Sequence, residues 1–298
     1  MLRGCSQLCL QTNELTGLFF IAAIFAASPI AAAYLLVAAA IAPVGRKLLG
    51  APARVLATGL PGLNPSLIAV SLPSFYETGW TNAGMWGVLF VCIAAAVVLV
   101  HFLIAILSFP ILIAPFLAIF WTLAVLEPHL GVLQALPPPA TGDLVQFNPL
   151  SAVLMSLGQA AFSPTLASGL LFAAGLLANG WRYAVIAVLS AGIGTGVSYF
   201  YSGVDVAGAD SGLYGFNAVL AGVAAYVFVG GGLRLALFAA LVATILIPAL
   251  SHFGVPALSA PFAATVWLLL ALGWVDARWF PDRAAPAEAG SGSSAASK

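Results

Sequence analysis

The chain has 298 residues, of which 62% are hydrophobic and only 6% charged, with a formal net charge of zero. Soluble domains carry about 25% charged residues, and nine basic plus nine acidic side chains cannot cover a surface of this size. A soluble globular enzyme is excluded, as is a nucleic-acid partner, which needs concentrated Lys and Arg.

The solvent for most of this surface is therefore lipid, where only helices or closed barrels satisfy their own backbone. Strand-like alternation is scarce, which argues against a barrel with a polar lumen and for an all-α polytopic membrane protein. A spanning helix takes about 20 apolar residues, so the length allows about ten. Apolar runs between Gly, Pro and polar punctuation predict segments at 15–27, 29–45, 59–74, 83–107 and 109–126. Five more follow at 166–178, 181–201, 212–229, 233–251 and 256–275. The first and sixth are short for a span, at ~20 Å as helices. The third is interrupted by Pro61, Gly62, Asn64 and Pro65. Backbone broken at membrane depth persists only where it is buried in protein or lines a wet cavity, so broken or re-entrant helices around a central pore are expected.

The basic residues give a test of orientation. With a cytoplasmic N-terminus and ten crossings, Arg3, Arg46, Lys47, Arg54, Arg182, Arg234, Arg278, Arg283 and Lys298 all fall on one side. Glu77, Glu127, Asp143, Asp205 and Asp210 fall on the other. This is the positive-inside pattern, and it predicts both termini in the cytoplasm. Residues 276–298 end in small and polar residues and are expected to form a disordered cytoplasmic tail.

The chain is also written twice. QLCLQTNELTGLFF at 7–20 aligns with QAAFSPTLASGLLF at 159–172, sharing Gln7 and Gln159 and the Gly-Leu-x-Phe at their ends. GLPGLNPSL at 59–67 matches GLYGFNAVL at 212–220, and PILIAPFLAIFW at 110–121 matches PALSAPFAATVW at 256–267. The matches keep their order at offsets of 152, 153 and 146, which points to duplication. Five crossings per copy is an odd number, so the second copy enters the membrane from the opposite face, as an inverted repeat. The expected division is 1–126 for the first repeat, 127–157 for a connector, and 158–275 for the second repeat. Paired interruptions in two such halves are the sequence pointer to a permeation site.

The polar groups at those interruptions are neutral. Ionisable residues inside membranes mark proton relays and ion paths, yet here they reduce to Glu14 at the start of a segment and His101 and His252 near segment ends. Motifs for nucleotide binding, zinc hydrolysis and serine catalysis are missing from the sequence. Cys5, Cys9 and Cys92 make no disulfide framework. No cofactor and no metal are expected. Gln7, Gln159, Asn64, Asn217 and Ser259, with backbone freed by Pro and Gly, suit a neutral hydrogen-bonding solute. Phe162, Phe216, Phe116 and Phe262 are placed to wall a narrow slit for a flat one.

On Gly-Leu-Tyr-Gly-Phe-Asn at 212–217, Leu-Ser-Ala-Pro-Phe at 258–262, their first copies at 59–64 and 112–116, and the openings at Gln7 and Gln159, the chain resembles the urea transporters. The resemblance runs over essentially residues 2–275. It implies a homotrimer of independent pores, each conducting urea passively past stacked slots and a ladder of backbone carbonyls; the short loops and compact chain favour a bacterial inner membrane. By position it implies slot pairs Phe162 with Phe216 and Leu10 with Leu63, with Gln7 and Gln159 three residues before each slot's first member. The central constriction falls at Ile113 and Ser259, two residues before Pro115 and Pro261. Asn64, Asn217, Pro115, Phe116, Pro261 and Phe262 are its supporting motif residues. The chain departs from the pattern in having leucines in its first slot, Ile113 opposite a serine, and Pro61 and Leu63 in its first signature. Competing readings are a channel for another small neutral amide or ammonia, an ion-coupled secondary transporter, and an intramembrane enzyme.

Overall fold

The structure, a computed structural model, describes residues 1–137, 147–201, 206–252 and 255–279. The charges assigned to Asp143, Asp205, Arg283 and Lys298, and the tail beyond Trp279, lie outside the described residues. Among the described residues the chain is helical without a strand, apart from one isolated bridge between Tyr76 and Ala135.

The first half contains α1 (Leu2–Ser6), α2 (Glu14–Ala27), α3 (Pro29–Leu48), α4 (Ala53–Thr58), α5 (Leu63–Phe75), α6 (Ala83–Ile106) and α7 (Ala114–Leu126). The second contains α8 (Pro149–Gln159), α9 (Leu166–Asn179), α10 (Trp181–Tyr201), α11 (Val206–Asp210), α12 (Phe216–Ala224), α13 (Gly232–Ser251) and α14 (Ala260–Trp279). The helix starts follow local chemistry. Asn13 accepts from the N–H groups of Leu15 and Thr16, Ser28 precedes Pro29 and accepts from Ala31, and Asn82, Asn148 and Thr165 cap α6, α8 and α9 in the same way.

Among the described residues, five helices are long and apolar enough to cross a membrane: α3, α6, α10, α13 and α14. A sixth candidate is the pair Leu2–Cys9 and Glu14–Ala27, bent by 75° at its break. The other apolar helices are shorter, as their punctuation requires. Large side chains such as Phe25, Val91, Ile106 and Trp274 stand more than half exposed on the outer faces, which lipid tolerates and water does not.

The structure corrects several boundaries. Part of the expected connector is helix, since Pro149–Gln159 forms α8 ahead of the predicted start of the second half. Asn148 and Pro149 supply the start signal there. The last helix runs to Trp279, so Asp276–Trp279 continue a helix and are not tail. The third apolar run opens as a 3₁₀ turn at Leu60–Gly62 and continues as α5, with α4 a separate short helix just ahead of it. The fifth and tenth runs become helical only at Ala114 and Ala260, because Leu112 and Leu258 sit in the left-handed region just before them.

The two halves meet chiefly along α2 and α9. Phe20 and Phe172 stack with centroids 3.9 Å apart and planes 3° from parallel. The Thr16 hydroxyl donates to the Gly175 carbonyl at 2.7 Å, and Ser168 donates to Ala23 at 2.6 Å. Gln11 and Asn179 add a side-chain hydrogen bond between the halves. Behind this seam, α1 folds back onto α2: a Cβ on Gly17 would lie 2.2 Å from the Leu2 carbonyl oxygen, and one on Gly169 would lie 2.0 Å from that of Leu154. Only glycine permits either approach.

Candidate functional site

The site is assembled by two buried asparagines near the starts of α5 and α12. Asn64 donates from Nδ2 to the Leu112 carbonyl at 3.0 Å, and its Oδ1 accepts from the Phe116 N–H at 2.9 Å. Asn217 repeats this with Leu258 at 2.9 Å and Phe262 at 3.2 Å. Phe116 and Phe262 are the third residues of α7 and α14, whose first N–H groups lack intrahelical partners. Each asparagine therefore acts as a helix cap supplied by another helix, and with its other end holds the residue two before the helix start. Pro115 and Pro261, both buried, occupy a first-turn position where a missing N–H costs nothing.

Among the described residues, backbone strain at non-glycine positions falls in this framework. The non-glycine residues with positive φ among the described residues are Leu10, Leu112, Phe162 and Leu258, at 59°, 46°, 56° and 48°. Such conformations cost of order 1–3 kcal/mol each and persist where the surroundings impose them, often at functional positions. They form two pairs at the spacing of the sequence repeat. Leu10 and Phe162 interrupt the paths from α1 to α2 and from α8 to α9, while Leu112 and Leu258 precede α7 and α14.

These breaks enclose a small cavity lined by Leu8, Leu10, Leu63, Leu67, Ile113, Leu220, Ser259 and Phe262. Its volume is about 10 Å³, the room of a single water. The structure thus brings together Leu10, Leu63, Ile113, Ser259 and Phe262 from both halves. Leu10 and Leu63 also line a larger cavity of about 350 Å³, walled further by Asn64, Ile104, Leu107–Leu112, Phe228 and Arg46. Apart from Ser259, the narrow cavity is lined by hydrocarbon and by one aromatic ring.

The second expected slot is arranged differently. Phe162 meets the edges of Phe75 and Phe116, each with centroids 6.1 Å away, and its carbonyl accepts from Ser74 at 3.3 Å. Phe216 is buried at the start of α12. Phe120 and Tyr76 extend the cluster around Phe75 and Phe116. Burial pushes the Tyr76 phenol up to about 12, with the Glu127 charge adding to the effect. The glutamines also differ: Gln7 donates to the Thr58 carbonyl at 2.7 Å and to Thr12 at 3.3 Å, whereas Oε1 of Gln159 is buried without a partner.

A family comparison matches residues 1–273 to Urea transporter. The chain belongs to the urea transporter family. That membership implies urea transport across a membrane, and with its apolar helices makes the chain a multi-pass membrane protein of a transporter family, not an enzyme family. A comparison with individually curated proteins returns no match.

In this family member the sequence-based choice of residues missed several that line the cavities or build the framework: Leu8, Leu67, Leu220, Phe75, Phe228, Leu112, Leu258 and Arg46. The repeat could have supplied Phe75 and Phe228, which stand at the same spacing as the Asn64 and Asn217 signatures. It could not have supplied Arg46, which occupies one half alone.

Proposed function

We propose that the chain is a passive, channel-type conductor of urea, built from ten membrane segments in two inverted repeats. The observation that carries the mechanism is the small cavity shared by both halves, with Ser259 as its one polar side chain. A hydrated cation entering it would lose its water shell with nothing charged in return, which is prohibitive in an apolar site. A flat neutral solute loses less, because hydroxyl and carbonyl acceptors meet its N–H groups in the plane while Leu10, Leu63 and Phe262 cover its faces. Gln159 Oε1, buried and unpartnered, is a further acceptor along the route, and Phe162 with Phe216 forms the approach in the other half.

The reciprocal contacts between halves support the repeat. Trp121 donates to the Pro256 carbonyl and Trp267 to the Pro110 carbonyl, each at 2.8 Å. The paired asparagines, left-handed residues and α2–α9 hydrogen bonds recur in the same way. The repeats are assigned to 1–126 and to the chain from α8 to α14, with both termini cytoplasmic and three copies associating in a bacterial inner membrane.

Stopped-flow light scattering on proteoliposomes tests this, with urea, acetamide, formamide and ammonia as solutes. Urea flux well above that of empty liposomes and unaffected by ionophores is expected. Flux no faster than the empty vesicles overturns the proposal. Acetamide or ammonia outrunning urea would move the assignment to another neutral solute, and collapse with an ionophore would move it to an ion-coupled transporter.

A further inference from the structure

The cavity of about 350 Å³ beside the constriction contains one charged side chain, Arg46, near the end of α3. Arg46 is 5% exposed, and its Nε and Nη1 are buried without a hydrogen-bond partner. A cation in the last turn of a helix ordinarily serves the helix dipole or binds the final carbonyls. Here those carbonyls are taken by backbone, Gly45 by Leu49, Arg46 by Ala51 and Lys47 by Gly50. Arg46 is one of the residues that line the cavity. The other polar side chains lining it are Asn64, whose amide is engaged at both ends, and Ser108. No carboxylate lines the cavity.

A buried guanidinium without an acceptor carries a desolvation penalty that an anion relieves, and Arg presents its N–H groups in the fork that fits a planar or tripodal oxyanion. The remaining wall is hydrocarbon: Leu10, Leu63, Ile104, Leu107 and Phe228. The volume lies at the lower end of small-ligand pockets, about 300–1,000 Å³. We propose that this cavity binds a small amphiphilic organic monoanion, a carboxylate or sulfonate with a short apolar body, whose head pairs with Arg46. Its body lies on Leu10 and Leu63, which also line the constriction, so the bound anion plugs the path. The binding site stands on the cavity alone; the block of flux rests on the channel reading above.

Hexane-1-sulfonate is a suitable probe, being a permanent anion, with hexanamide as the neutral control. In detergent the wild-type protein should show a saturable rise in melting temperature with the sulfonate, and Arg46→Gln should need at least tenfold more of it. Arg46→Lys, which keeps the charge without the fork, should fall between. Ile104→Trp, which fills the cavity and leaves Arg46 in place, should abolish the shift and covers the case in which Arg46→Gln fails to fold. In phosphatidylcholine proteoliposomes, where no anionic lipid competes, the sulfonate should at least halve wild-type urea flux. No saturable shift in the wild type, or equal shifts with and without Arg46 or in the filled cavity, overturns the site. An Arg46-dependent shift in a protein whose urea flux equals that of empty vesicles upholds the site and sinks the channel reading instead.

Discussion

Asn64 and Asn217 show how one residue type can fix a membrane-buried site. A buried amide that donates and accepts at once joins two helices, and removing it strands both partners. Asn64→Ala leaves the Phe116 N–H and the Leu112 carbonyl unpaired, and a loss of about 2 kcal/mol is expected from unfolding in mixed micelles. Asn64→Asp keeps the acceptor for Phe116, and as a buried protonated acid its O–H can replace the amide as donor to Leu112, so it should cost less. Equal loss in both variants would show that the amide's packing, and not its split bonding, matters. Ser259 makes the corresponding functional prediction. Ser259→Val removes the hydroxyl from the narrow cavity and should lower urea flux about tenfold, the worth of one hydrogen bond of about 1.4 kcal/mol. Unchanged flux at normal expression would move the constriction elsewhere.

At the level of helices, hydropathy and structure part company where the chain is broken. Residues 109–126 and 256–275 read as continuous apolar runs, because Leu112, Ile113 and Leu258 are as hydrophobic in a break as in a helix. Only the duplication, with Pro and Asn recurring in both copies, marked those places, and it did so without showing that leucines there adopt positive φ. Leu10, Leu63 and Ser259, picked from their places in the repeated motifs, line one cavity. Phe162 and Phe116, both named from the motifs, meet edge to face, but the third ring, Phe75, was hidden because an aromatic in an apolar helix carries no label for the direction it faces. The fold-back of α1 onto α2 was similarly silent in composition. It makes Gly17 a sharp test: Gly17→Val should prevent stable folding, since even a Cβ would meet the Leu2 carbonyl at 2.2 Å. Thr16→Val in the neighbouring turn loses one bond to Gly175 and should cost about 1 kcal/mol. Comparable losses from the two substitutions would mean that α1 is not held against α2 in this way.

For the molecule as a whole, the basic residues bear on the proposed orientation, which the helices themselves do not require. Arg46 and Lys47 end α3, where a helix dipole favours cations. Arg182 and Arg234 instead stand in the first turns of α10 and α13, at the positive ends of their dipoles, where a cation is unfavourable by roughly 0.3–1 kcal/mol. Helix stability would place them at the other ends. A membrane that retains Lys and Arg on its cytoplasmic face accounts for all four together, provided α3 ends where α10 and α13 begin. That relation is what two oppositely inserted copies produce. Single cysteines at Arg54, Arg182 and Arg234 should therefore react with an impermeant maleimide only in inside-out vesicles, and cysteines at Glu77 and Glu127 only in right-side-out vesicles. The native thiols give little background, because Cys5, Cys9 and Cys92 are all buried. Labelling of Arg54→Cys and Arg182→Cys from opposite sides would place the two copies in the same orientation, and the inverted architecture would fall with it.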